Sequence, residues 1–369
     1  MASITRRPNG SWRARYRDDE GREHARHFPR KVDGQRWLDE VTTAVHTGAY
    51  VDPRAGRVTL ETFYADWAAR QVWAPNTARA MKVALDCCTF RDVELSKVRR
   101  SHVETWVKTM TAGVGEQRAL AASTIRTRVA NVRAVLRGAV YDRIIASNPV
   151  DGVTLPRTRR AEQQMTIPTP EAVGAILRAC EDWFAPFVAL CAFAGLRNGE
   201  ASAVRLSDVD FMRRQLHVQR QVQRIDGELV LSAPKAGSER TVHLPDALVE
   251  ILARHVADVG VHGDDEWLFV GGPGLPPSSE AMRYRLDTVP GTAAYKIHDL
   301  RHFFASGLIA AGCDVVTVQR ALGHASAQTT LRTYSHLWPT AEDKTRGAAA
   351  GIMAASLTAP ADSSRTAKA

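Results

Sequence analysis

The sequence predicts a mainly helical α+β chain with small β-sheets: a three-stranded N-terminal module, a helical domain and a mixed α/β domain. Three observations lead there. Alternating aromatic and basic residues, broken by turn residues, fill the start of the chain. Apolar residues then recur at helical spacing from about residue 60 to 141. From Thr169 onward, helical stretches alternate with short strand-like runs. At 369 residues, 44% hydrophobic and 24% charged, the chain has material for two or three packed domains and is not disordered over its whole length.

Residues 4–7, 11–17 and 22–28 read as strands, separated by turns at Pro8-Asn9-Gly10 and Asp18-Asp19-Glu20-Gly21. Trp12, Ala14 and Tyr16 alternate with Arg13, Arg15 and Arg17, so the pleat puts three guanidinium groups on one face. Residues 1–36 hold ten basic and five acidic side chains, and three like charges on one strand face repel unless a polyanion lies near. A helix follows through Trp37, Leu38, Val41, Ala44 and Val45. These elements make up a module over 1–52, joined by a linker at 51–57 that contains Pro53.

A helical domain is expected over 57–150. Leu60, Phe63, Tyr64 and Trp67 share one face, Pro75 starts a second helix, and Ser101 to Glu104 fits a capping box before a third. The clearest helix spans 123–141, with Ile125, Val129, Val132, Leu136 and Val140 as its apolar stripe and Asn148-Pro149 as its stop. Arg126, Arg133 and Arg137 line one side of it, in a stretch with a net charge of +6 over 99–143 that suits phosphates. A basic linker at 154–164 holds Arg157, Arg159 and Arg160. Thr169-Pro170, an N-cap followed by Pro at N1, opens the third domain, expected over 166–340. The stretch 346–369 reads as a C-terminal tail, frayed towards its end.

The net charge of +9 favours a polyanionic partner, nucleic acid first and an anionic membrane second. The longest apolar run, 185–196, is too short to span a bilayer and contains Pro186. The N-terminus has no apolar signal-peptide core. Five cysteines, with no Cys-x-x-Cys pair, read as reduced thiols of a cytoplasmic protein.

Four short pieces carry reactive residue types. Gly195-Leu196-Arg197 follows an apolar helix, with Glu200 three residues on. Lys235 sits at a turn between strand-like runs. His298 and Arg301 share a helix face in His298-Asp299-Leu300-Arg301-His302. Leu322-Gly323-His324 precedes Tyr334-Ser335-His336. Each has an ordinary structural explanation alone: a helix C-cap, a solvated lysine, a core tyrosine. His298 and His302 four apart could suggest a metal pair, but Arg301 between them is poorly placed beside a dication.

Together, in this order and spacing, the pieces resemble the tyrosine recombinase (phage integrase) family. The resemblance is close over 166–340 and looser over 57–150, and residues 1–50 are similar to the arm-binding module of some phage integrases. It implies an arm-type DNA-binding module, a helical core-binding domain and a catalytic domain. It also implies Tyr334 as nucleophile, forming a 3′-phosphotyrosine link. Arg197 and Arg301 would hold the scissile phosphate, and His298 and His324 would donate to its developing charge. Lys235 would act as general acid, with Glu200 supporting Arg197. The guanidinium cluster would lower the hydroxyl's pKa. No cofactor and no metal is implied. The implied partners are double-stranded DNA, three further copies of the chain in a tetramer, and possible DNA-bending or directionality proteins, at the nucleoid of a bacterial host. Phage or prophage integration is the expected role. Chromosome-resolution or transposon recombinases, a type IB topoisomerase and a catalytically inactive DNA-binding scaffold are the alternatives.

Overall fold

The structure is a computed structural model that describes residues 2–17, 21–46, 50–52, 54–113, 118–157, 165–225, 227–338 and 341–357. Asp18 to Glu20 of the first turn, Pro53, Arg159, Arg160 and the last twelve residues of the expected tail lie outside these. The chain forms two compact units, Met1–Gln163 and Gln164–Ala369.

The first unit begins with three antiparallel strands, β1 (Ser3–Arg6), β2 (Trp12–Arg17) and β3 (Glu23–Phe28). Ala14 faces Ile4 on one side and Arg26 on the other, and Arg15 faces Ser3 and Ala25. The period-two alternation therefore sends Ala14 and Tyr16 inward, where they meet Leu38 and Trp37 of α1 (Lys31–His46), and leaves Arg15 and Arg17 exposed.

Four helices follow in the same unit: α2 (Leu60–Ala68), α3 (Pro75–Asp86), α4 (Arg100–Ala112) and α5 (Ala122–Tyr141). Thr59 caps α2 by accepting from the Thr62 backbone N–H at 3.2 Å. The cap of α4 differs from the expected one. Ser101 is already inside the helix, and the extended Arg99 donates its backbone N–H to His102 Nδ1 at 3.0 Å. An imidazole at the third helical position does what a Glu or Gln usually does there. Ile125, Val129, Val132 and Leu136 bury the inner stripe of α5 in a core with Trp106, Phe63 and Leu85. This helix ends at Tyr141, before Asn148-Pro149. Asn148 instead clamps the returning chain, donating to Arg133 O and accepting from the Val150 N–H.

The second unit holds α6 (Pro170–Ala179), α7 (Ala185–Phe193), α8 (Asn198–Ser202), β4 (Val209–Asp210), β5 (Gln215–Val218), β6 (Gln221–Ile225), β7 (Glu228–Ser232), β8 (Arg240–His243), α9 (Asp246–Asp258), α10 (Ser279–Thr288), α11 (Ile297–Ala310), α12 (Val315–Leu322), α13 (Ala327–Tyr334) and α14 (Ala341–Leu357). Helix α7 has no polar face, and its residues from Pro186 to Ala192 are all buried, so it forms the centre of this unit. Phe187, Leu190 and Leu300 share its core with Leu216 and Val242 of the sheet β4-β5-β8.

Lys235 sits on the turn between β7 and β8; β7 pairs with β6 and β8 with β5, so that turn links two separate sheets. The tail expected from Arg346 is helical as far as Leu357. Its alanines favour helix even where no apolar stripe demands one. Among the described residues, no helix is long and apolar enough to cross a membrane.

Candidate active site

One carboxylate organises the site. Glu200, on the first turn of α8, is buried, and three arginines converge on it. Arg197 Nη1 donates to Glu200 Oε1 at 2.5 Å, and the Arg197 backbone N–H donates to Oε2 at 3.0 Å. Arg240 Nη2 donates to Oε2 at 2.9 Å, and Arg301 Nη1 lies 4.0 Å away. Burial pushes the Glu200 carboxyl up, but Arg240 and Arg197 overcome it and hold the group below the ordinary carboxylate range. Glu200 thus stays charged inside the unit and supports more than Arg197.

Backbone carbonyls fix the guanidinium planes. Arg301 donates to Gly195 O and to Leu322 O, while Arg197 Nη2 donates to Gly323 O and its Nη1 to Ser238 Oγ. Gly195 and Gly323 adopt φ of +65° and +62°, which turns these carbonyls towards the arginines. A Cβ at Gly195 would stand 2.4 Å from Phe304 Cδ1, and one at Gly323 would stand 2.9 Å from Arg240 Cδ. Arg301 is 1% exposed and its pKa is pushed down to about 9 by burial, Arg197 and Arg240, so it remains charged at neutral pH. The Arg197 side chain is 25% exposed, the most accessible of the three.

The imidazoles form a second row. His298 and His302 lie one turn apart on α11 with ring centroids 4.6 Å apart. His302 Nδ1 lies 2.8 Å from the Tyr334 hydroxyl. The His324 ring is nearly parallel to that of Tyr334, at 6.4 Å, and its Nδ1 contacts Thr330 Oγ1 at 2.9 Å. Burial, reinforced by neighbouring cations, lowers all three imidazoles, His302 and His324 to about 4. All three are neutral at neutral pH.

Tyr334 departs from expectation. It is 1% exposed, and its hydroxyl is pushed up to about 12 by burial. Arg301 and Arg197 pull it down but do not win. The guanidinium cluster alone therefore does not yield a phenolate.

The structure brings Arg197, Glu200, His298, Arg301, His324 and Tyr334 together. Lys235 is exposed on its turn, and among the described residues its ammonium has no hydrogen-bond partner. Sequence reading missed Arg240, Ser238 and Thr330, and took His302 only as half of a metal pair. His302 alone carried a signal, its place four residues after His298. Among the described residues, no group of three or more His, Cys, Asp or Glu is placed to hold a metal. Burial raises the thiols of Cys88, to about 12, and Cys180, to about 11, which makes them poor competing nucleophiles.

The arginines expected to meet DNA divide. Arg13 and Arg15 both lean on Glu23 of β3, at 3.2 and 3.5 Å, so this face carries its own carboxylate. Arg17 is exposed. On α5, Arg126 Nε donates to Pro156 O and Arg133 Nη2 to Val150 O, tying the helix to the chain that follows. Arg137 is exposed.

Residues 168–340 match the phage integrase family. That stretch contains the whole constellation. It belongs to the tyrosine recombinase family. Over 346 residues the chain is 26% identical to a putative prophage phiRv2 integrase of Mycobacterium tuberculosis, covering 89% of each chain. It is 23% identical over 329 residues to the integrase of Mycobacterium phage L5, covering 83% of this chain and 84% of the relative. Among solved structures, the Tn1549 transposon integrase bound to DNA superposes with a TM-score of 0.65 at 20% identity, covering 79% of this chain and 98% of that one. A lambda integrase dimer on a core site superposes at 0.56 and 16% identity, covering 91% and 96%. For this tyrosine recombinase, these likenesses establish the fold.

Proposed function

We propose that this tyrosine recombinase integrates phage or prophage DNA into a host chromosome in the cytoplasm of a bacterial cell, cutting each strand with Tyr334. The observation that carries this is the Tyr334 hydroxyl, 2.8 Å from His302 Nδ1, with the His324 ring beside its own and Arg301 and Arg197 acting on it electrostatically. Arg197 and Arg301 offer guanidinium forks to the nonbridging oxygens, and His298 and His324 add donors to the charge that develops on them. The Tyr334 oxygen attacks phosphorus, the 5′ oxygen leaves with a proton from Lys235, and the 3′ phosphate stays on the tyrosine. The link conserves the phosphodiester, so rejoining needs no nucleotide cofactor. Because Tyr334 is buried, DNA must open a path for its phosphate to the hydroxyl, and the exposed Lys235 turn must close on the leaving oxygen. A lambda integrase tetramer bound to a Holliday junction has the same fold, which supports a tetramer acting on two duplexes here. Accessory bending or directionality proteins fit the same scheme.

The decisive experiment is trapping on a nicked duplex. Wild-type protein should leave a covalent protein–DNA adduct on denaturing gels, in EDTA as well as without it. Tyr334→Phe should bind DNA nearly as well and leave none, since one hydroxyl adds little to a phosphate-dominated interface. An adduct from the Phe variant would assign the cut to another residue.

A second reading has its own support. An integrase of the ICEBs1 element of Bacillus subtilis is 28% identical over 221 residues, 54% of this chain and 58% of that one, and the Tn1549 fold is a transposon's. A transposon-type element is therefore the alternative source. The module at 1–52, with its Arg13, Arg15 and Arg17 face, supports arm-site binding in either case. Deleting it should spare binding and cleavage at the crossover site and remove footprints at distant sites. Unchanged footprints would leave the module without a DNA role.

A further inference from the structure

We propose that His302 takes the proton of the Tyr334 hydroxyl as that oxygen attacks phosphorus, and returns it when the strands are rejoined. The inference rests on the reading of Tyr334 as nucleophile and adds the base which that reading lacks.

Geometry separates His302 from the other candidates. Its Nδ1 is 2.8 Å from the Tyr334 oxygen. The Nδ1 of His324 is engaged by Thr330 Oγ1, and its ring lies 6.4 Å from that of Tyr334, with no hydrogen bond to the hydroxyl among the described residues. His298 contacts the ring of His302. Glu200 is occupied by Arg197 and Arg240. His302 sits on α11, which the adjacent Arg301 pins by donating to Gly195 O and Leu322 O, so the acceptor is held on a rigid element.

Burial keeps the His302 imidazole uncharged, as do His298 and Arg301 on its own helix and His324 opposite. In the tautomer with the proton on Nε2, its Nδ1 accepts from the Tyr334 hydroxyl. The hydroxyl, pushed up to about 12, does not ionise beforehand. Transfer must accompany bond formation, and the DNA phosphate supplies the negative charge that an imidazolium needs. The O–H bond of Tyr334 breaks as its oxygen bonds to phosphorus. The proton moves to His302 Nδ1, and the bond from phosphorus to the 5′ oxygen breaks. On rejoining, the 5′ hydroxyl gives its proton back to the Lys235 amine as its oxygen bonds to phosphorus, the bond from phosphorus to Tyr334 breaks, and His302 returns the proton to the tyrosine oxygen.

The test uses the full chain and a nicked duplex selected by covalent capture from a randomised pool. His302→Gln keeps an acceptor but cannot take a proton, and His302→Ala leaves a ring-sized space. Both should slow adduct formation by roughly 100–10,000-fold, the range of a positioned base. Added imidazole should restore the Ala variant and not the Gln variant. A Gln variant at wild-type rate would reduce His302 to a positioning residue. Faster adduct formation by the Ala variant would make it a restraint, and a DNA-binding Ala variant indifferent to imidazole would also overturn the proposal. Should the variants fail to fold, nitrogen-15 histidine spectra of the wild type decide: at pH 7 the His302 proton must sit on Nε2, and a proton on Nδ1 refutes the assignment. An adduct that survives in Tyr334→Phe would instead remove the nucleophile reading.

Discussion

Two regions of this chain use one carboxylate to manage two arginines, in opposite surroundings. On the outer face of the N-terminal sheet, Glu23 stands between Arg13 and Arg15, all partly open to water. In the second unit, Glu200 stands between Arg197 and Arg240, with both its oxygens shielded from solvent. Water screens the first cluster, so its guanidinium groups can exchange Glu23 for another anion at little cost. The second cannot rearrange without stranding a charge in the interior. The surface cluster can therefore adapt to what it meets, whereas the interior cluster is set before a phosphate arrives. That is what stabilising a transition state requires.

The comparison breaks first at Glu200. Glu200→Ala should cost about 3–5 kcal/mol of stability, the usual penalty for leaving a buried partner unpaired, and should abolish strand cleavage. Thermal unfolding followed in the second unit measures the first effect, and adduct yield the second. The pH dependence has a definite sign. The Glu200 carboxyl is held below its ordinary value in the fold, so its contribution is fully present above about pH 4.3 and is lost as pH falls through its own lower value. The stability gap between wild type and Glu200→Gln should narrow below about pH 4. A gap independent of pH would show that the carboxylate's charge is not what the arginines need.

Lys235 sharpens the contrast from the other side, because it is proposed to protonate the leaving oxygen yet stands in solvent. Lys235→Ala should leave stability unchanged and slow cleavage by roughly 100–10,000-fold. A duplex whose 5′ leaving oxygen is replaced by sulfur should largely abolish that defect, because a thiolate leaves without protonation. A full defect on the sulfur substrate would move Lys235 to phosphate holding or base reading.

The smallest effect belongs to Glu23. Glu23→Ala should change stability by less than about 1 kcal/mol, as for other exposed pairs. With Arg13 and Arg15 released, affinity for nonspecific duplex should rise slightly, and its salt dependence should steepen. Weaker DNA binding would mean that Glu23 orients the arginines rather than neutralising them.

Legibility followed sequence distance. Arg197 with Glu200 and His298 with Arg301 could be read because their partners lie one helical turn away. The β1–β3 pattern could be read because a pleat repeats every two residues. Arg240 reaches Glu200 and Ala321 across 40 and 81 positions, and no local spacing records such contacts. The bond between His302 and Tyr334 spans 32 positions, and only the packing of α13 against α11 reveals it. On α5, charge pointed to phosphate for Arg126 and Arg133 but gave no sign that each also closes a hydrogen bond to the backbone that follows the helix. The tyrosine's pKa went the wrong way for a related reason. Sequence shows which cations are near but not how much water is excluded, and here exclusion dominates.

Gly195 and Gly323 bear on how such a chain can drift over generations. Neither holds an atom that reacts, and neither carries charge. Yet any other residue at either position adds a carbon where Phe304 or Arg240 already stands, on a backbone turned to a hand that other residues resist. A change at either position should therefore be far harder to accept than one on the exposed surface. The arrangement thus rests on two residues that offer a carbonyl and no side chain.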